Sequence, residues 1–146
     1  MTNKIVSLLI CNILITLSAI AGNNCNHKKL RIPLLSVCIY LDVPQQVHVQ
    51  SEQYEEGTIS FISFPHGEIL ILSEGSLMSL PQDSYEGNVK SDNNKKIREG
   101  KSGNVFWRVD IYKHTSGRLR IYYDNVSSKE KSKFDKILDD IKIRKI

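Results

Sequence analysis

The sequence predicts an α+β domain: an antiparallel β-sheet of five to seven strands with a C-terminal amphipathic helix packed on one face. Three observations predict it. Apolar and polar residues alternate through 105–112 and again through 118–124, the period of strands with two unlike faces. A second alternating pair occupies 58–64 and 68–72. Phe134, Ile137, Leu138 and Ile141 then recur at the spacing that lines one face of a helix.

In the first pair, Val105, Trp107, Val109 and Ile111 alternate with Phe106, Arg108, Asp110 and Tyr112. After Thr115-Ser116-Gly117, Leu119, Ile121 and Tyr123 alternate with Arg118, Arg120, Tyr122 and Asp124. A three-residue loop ending in glycine is a common hairpin connection, because glycine accepts the left-handed conformation. It would pair His114 with Arg118, Ile111 with Ile121, Tyr112 with Arg120 and Arg108 with Asp124. A slip of two residues would change the partners and keep the faces. Ser127-Ser128-Lys129-Glu130 fits a capping box at the helix start. The helix should end near Asp140, with Ile141, Ile143 and Ile146 in a terminal strand.

Residues 1–21 carry a lone Lys4, an apolar run from Ile5 to Ile20, and Ala19 and Ala21 at an A-x-A-like site, the layout of a cleaved secretory signal peptide. The run is short for a membrane span and interrupted by Asn12, Thr16 and Ser18. Residues 22–146 would then form one secreted or periplasmic domain, long enough to bury an ordinary core. Cleavage removes Lys4 and lowers the formal charge from +4 to +3. It also removes Cys11 and leaves Cys25 and Cys38, an even number in an oxidising compartment and the expectation of a disulfide. A zinc site from Cys25, His27, Cys38 and His48 does not match standard ligand spacing.

Along the domain, 23–31 reads as a polar surface arm and 34–41 as a buried strand stopped at Asp42-Val43-Pro44. Val47 and Val49 mark a short strand, and Glu52, Glu55 and Glu56 an acidic loop. Thr58 to Phe64 and Glu68 to Leu72 form a hairpin around Pro65-His66-Gly67. Leu77, Met78 and Leu80 give a helical turn or a buried loop. Lys95 to Glu99 reads as an edge strand, which lysine protects from pairing with other chains.

No catalytic constellation emerges. Gly100-Lys101-Ser102 lacks the earlier glycine of a phosphate-binding loop, since position 95 is lysine. The histidines are dispersed, no nucleophile elbow is present, and no cofactor or metal is implied. Asn125-Val126-Ser127 is a sequon, used more simply as the approach to the helix cap. The expected binding surface is the hairpin's polar face, Arg108, Tyr112, Arg120 and Tyr122, beside Glu52, Glu55 and Glu56, because tyrosine and arginine dominate interface hot spots. The partner would be another protein, with the chain an exported immunity protein or inhibitor that neutralises a toxin or hydrolase. The rival functions are a cell-envelope hydrolase and a carrier of a small ligand or lipid. Lys90, Lys95, Lys96, Arg98 and Lys101 offer a second surface, for a polyanion such as an acidic polysaccharide. The mild basicity lacks a nucleic-acid signature, and membrane contact is expected only through an uncleaved leader.

The closing order of hairpin, helix with Phe134-x-x-Ile137-Leu138-x-x-Ile141, and Ile143 resembles the end of PsbP-like domains, small α/β/α sandwiches. The resemblance covers the final third and implies an accessory or binding role. It departs from the family where an N-terminal helix would stand, which puts the two-sided cover of the sheet in doubt.

Overall fold

The computed structural model describes residues 27–76, 86–91, 94–114 and 117–146. The described chain is mainly β, with ten strands in two antiparallel sheets and one C-terminal helix. A three-stranded sheet has the order β1-β2-β10, from β1 (His27–Pro33), β2 (Val37–Pro44) and β10 (Lys142–Lys145). A seven-stranded sheet has the order β3-β4-β5-β9-β8-β7-β6. Its strands are β3 (His48–Tyr54), β4 (Gly57–Ser63), β5 (Ile69–Gly75), β6 (Asn88–Ser91), β7 (Lys95–Ser102), β8 (Val105–His114) and β9 (Gly117–Ser127). Helix α1 (Ser128–Asp139) follows β9 directly.

The main core lies between the sheets. Val37, Ile39, Leu41 and Val43 alternate toward it from β2, and Ile62, Leu70, Leu72, Leu119, Ile121 and Tyr123 face them from the large sheet. Phe134, Ile137 and Leu138 of α1 close the same layer, and the Phe134 ring packs tilted against Phe64 at 4.7 Å and edge-on to Tyr123 at 5.5 Å. One polar group joins the sheets there: the buried Glu74 carboxylate accepts from the Ser36 amide at 2.9 Å and from its hydroxyl. The expected single sheet under a helix is thus a sandwich, whose second layer is shared by α1 and the small sheet.

Several expectations are corrected. Residues from His27 on, read as an arm, form β1, because Leu30 and Ile32 point inward while Lys29 and Arg31 stay in water. β7, read as an edge, is covered by β6 through Asn88↔Glu99 to Ser91↔Lys96. Ser127 precedes α1 in extended conformation but makes no side-chain cap bond; Glu130 pairs instead with Lys133 at 2.9 Å. The terminal strand forms, but on β2 of the other sheet. The turn at 65–67 is as expected, with Gly67 at φ 91° and its amide donating to the Phe64 carbonyl.

The central hairpin differs in register. His114 pairs with Gly117, so the connection is two residues and not three, and Ile111 meets Arg120, Tyr112 meets Leu119, and Arg108 meets Tyr123. A bulge then re-phases β9: Phe106 pairs with Val126, two residues of β9 stand against Trp107, and Asn125 takes a φ of 59°. A one-residue shift exchanges the faces of one strand against the other. Asp110 and Tyr112 therefore share the inner face with Leu119 and Ile121, while Val109 and Ile111 share the outer face with Arg120 and Tyr122.

Cys38 is buried in β2 and has no disulfide partner among the described residues. Cys25, its expected disulfide partner, lies outside them.

Candidate functional site

Two polar constellations result, one internal and one open. The internal one lies where β7 and β8 meet α1. Arg108 and Asp110 are buried on the inner face, and the guanidinium donates to both Asp110 oxygens, at 2.8 and 3.0 Å. It also reaches Asp139 at 2.7 Å and Asp135 at 3.4 Å on α1. Lys95 adds a 2.8 Å bond to Asp110, Lys131 pairs with Asp135, and the Tyr123 hydroxyl donates to Asp135 at 2.7 Å.

Burial alone would weaken the Arg108 charge, but Asp110 and Asp139 outweigh it and hold the group firmly cationic. Burial, then the bond to the Asp135 carboxylate, pushes the Tyr123 phenol well above its ordinary value. Partial burial works against the Asp135 charge, yet bonds from Lys131 and Tyr123 with Arg108 nearby win and keep the carboxyl below the usual range. Each charge faces an opposite one, so the arrangement docks the helix and offers no free acid or base.

The four residues expected to form one binding face are therefore divided. Arg108 belongs to this network, and Tyr112 packs half-buried against the core beneath Lys95, whose Nζ lies 5.6 Å from the ring. Arg120 and Tyr122 are on the opposite face, both buried. Tyr122 joins Trp107 and Val109 in a second, smaller core, and burial raises its phenol. Trp107 fits there because Gly87 and Gly100 lack side chains: a Cβ on either would come within 2.7 Å of the indole. Arg120 stands beside Ser73, with a buried Nε that has no hydrogen-bond partner among the described residues.

The second expected surface also divides. Lys95 and Lys90 are paired, the latter with Glu99 at 2.8 Å, while Lys101 lies over Phe106. Lys96 and Arg98 fall on the other face of β7, by the alternation of the strand.

The open constellation is at the β3–β4–β5 end of the large sheet's outer face. A groove of about 440 Å³ is lined by Tyr54, Glu56, Ile59, Phe61 and Ser73, with Gly57 and Gly75 at its end. The two glycines face each other across the ladder, and a Cβ on either would sit 2.3 Å from a carbonyl oxygen. Gly75 also has a φ of 138°, so the groove's end is closed by bare backbone. Tyr54, 52% exposed, stands at the rim, its hydroxyl donating to Glu52. That bond, with burial and the Glu52 charge behind it, raises the Tyr54 phenol. Glu55 and Glu56 are exposed in the β3–β4 turn, and Glu56 accepts from Ser76 at 3.1 Å.

Glu52, Glu55 and Glu56 thus remain together in the open, and Tyr54 is a candidate residue that the sequence alone did not single out. Its signal was present: residue 54 stands between the acidic residues, in phase with Glu52 on the face that carries Ile59 and Phe61. Comparison with family models, with curated proteins and with solved structures returns no match.

Proposed function

We propose that the chain is a small exported binding module that grips another protein at the β3–β5 groove. An immunity protein or inhibitor directed at a toxin or hydrolase is its concrete form. One observation carries this: an exposed tyrosine is held by a carboxylate above an apolar groove, with Glu56 at the rim and Glu55 exposed beside it in the turn. The groove is within the size range of ligand pockets and its lining is mostly apolar. An aromatic anchor with desolvated apolar contacts and a charged rim is the anatomy of a hot spot. The acidic rim selects a basic loop on the partner and speeds its approach.

The rival hydrolase reading gains less support, because the groove does not gather an acid/base pair. Glu56 is turned to Ser76, and the carboxylate of Glu74 is spent on Ser36 at the opposite face. The carrier reading needs a chamber between helix and sheet, where Phe134 and Leu138 are instead fully packed.

The test is protection. The chain is expressed with the product of the adjacent gene, and growth is measured together with affinity for that purified product. Tyr54→Ala should lower affinity by ~10-fold or more, as truncating a hot spot does. Glu55→Lys with Glu56→Lys should slow association and remove its salt dependence. Unchanged affinity in both variants would reject this groove.

A further inference from the structure

The outward face of the small sheet carries a second feature, unrelated to the groove. The β1-β2-β10 register sets Arg31, Tyr40 and Lys142 in one row, Pro33, Cys38 and Arg144 in the next, and Lys29 beside Asp42 in a third. Lys29, Arg31, Lys142 and Arg144 are all exposed. Arg144 lies over the Tyr40 ring, 5.2 Å from its centroid, which holds the cation flat against the sheet. The one carboxylate of these rows, Asp42, faces His27 at 3.3 Å. Two of the large apolar side chains exposed among the described residues stand at one end of this sheet. They are Leu35, 46% exposed in the β1–β2 turn, and Ile146, 74% exposed, whose amide donates to the Ser36 carbonyl at 3.1 Å.

We propose that this face docks on the surface of an anionic phospholipid bilayer, with Leu35 and Ile146 entering the headgroup boundary. Basic residues near such a surface are attracted by its negative potential, and apolar side chains beside them gain by leaving water. The geometry favours a bilayer over a soluble polyanion. Three strands make a face only about 10 Å wide, and a polymer would have no use for the apolar pair. This contact is separate from any held by the leader.

The protein purified after export is sedimented with vesicles of phosphatidylcholine alone and with vesicles containing 30 mol % phosphatidylglycerol, using roughly these compositions and 0.1 M salt. It should pellet with the anionic vesicles, stay in solution with the neutral ones, and be released near 0.5 M salt, where screening shortens the reach of its charges. Each cation removed should weaken partitioning about fivefold, the ratio that ~1 kcal/mol corresponds to. Arg31→Gln with Arg144→Gln should therefore lose about 25-fold. Lys29→Gln with Lys142→Gln is the second pair, should the first disturb the Tyr40 packing. Lys90→Gln with Lys96→Gln, on the other sheet, should change nothing. Equal pelleting with neutral vesicles, indifference to both pairs, or retention on heparin without vesicle binding would overturn the proposal. Loss of partner affinity at the groove would leave this result untouched, so the two ideas fail separately.

Discussion

Cys38 shows how much a single position can be constrained by its neighbours in the ladder. Its ladder partners are Pro33 on one side and Arg144 on the other, and its side chain is almost wholly withdrawn from water. A thiol so withdrawn reacts only when the side chains over it move aside, since the thiolate must form and be reached. Cys38 should therefore resist alkylation by iodoacetamide under native conditions, and labelling in guanidinium without a reductant tests the expected bridge to Cys25. Mass spectrometry reads both states. A Cys25–Cys38 bridge would block labelling in guanidinium as well, whereas full labelling would reject it. The even count of cysteines was legible in the sequence. Strand β1 was not, because a strand whose outward residues are Lys29 and Arg31 reads as solvated chain until its partner is known.

At the scale of elements, the question is what fixes α1 to the sheet. The apolar stripe of Phe134, Ile137 and Leu138 was legible, because the helical period survives without tertiary information. The partners of Arg108 were not, because they depend on a one-residue register set by a two-residue connection and a bulge at Asn125. Once that register is given, Arg108 meets Asp110 on its own strand and Asp135 and Asp139 on the helix, instead of facing solvent with Arg120. Removing one member of such a buried set strands the others, whereas an exposed pair contributes little. Arg108→Met should cost about 3–5 kcal/mol, leaving Asp110 with Lys95 alone. Lys136→Ala, which breaks the exposed contact to Asp140, should leave stability nearly unchanged. Urea denaturation of the two variants gives the comparison, and equal losses would mean that the network is not what docks the helix. The same cluster sets a pH dependence. The folded-state pKa of Asp135 is depressed, so its contribution is present above the unfolded value near 3.9 and is lost as pH falls through the folded one. The urea midpoint should decline below about pH 4, and Asp135→Asn should flatten that decline while lowering the plateau above it. An unchanged acid slope in the variant would assign the decline to other carboxylates.

At the scale of the whole molecule, the two open surfaces lie on opposite sides of one sandwich. The small sheet turns Val37, Ile39 and Leu41 inward and Arg31, Lys142 and Arg144 outward; the large sheet turns Leu70 and Ile121 inward and the Tyr54 groove outward. Two packed sheets are about 10 Å apart, so side chains on the outer faces are separated by both layers and by the core between them. A molecule resting on a bilayer through the small sheet would therefore present the groove away from the lipid, open to a partner arriving from solution. Both surfaces were only partly visible in the sequence, and for the same reason: alternation within a strand shows that two faces exist, while the sheet order alone decides which faces look outward. The arrangement makes a prediction that neither surface makes alone. An environment-sensitive fluorophore is placed at Leu35→Cys or at Glu55→Cys, each in a Cys25→Ser background where the buried Cys38 stays unlabelled. On addition of anionic vesicles, emission from residue 35 should shift to the blue as the label enters the headgroup boundary, while emission from residue 55 should stay that of water. A shift at both positions would mean that the molecule lies on its side. A shift at residue 55 alone would place the groove itself on the lipid, and the basic face of the small sheet would then be the surface left free for a partner.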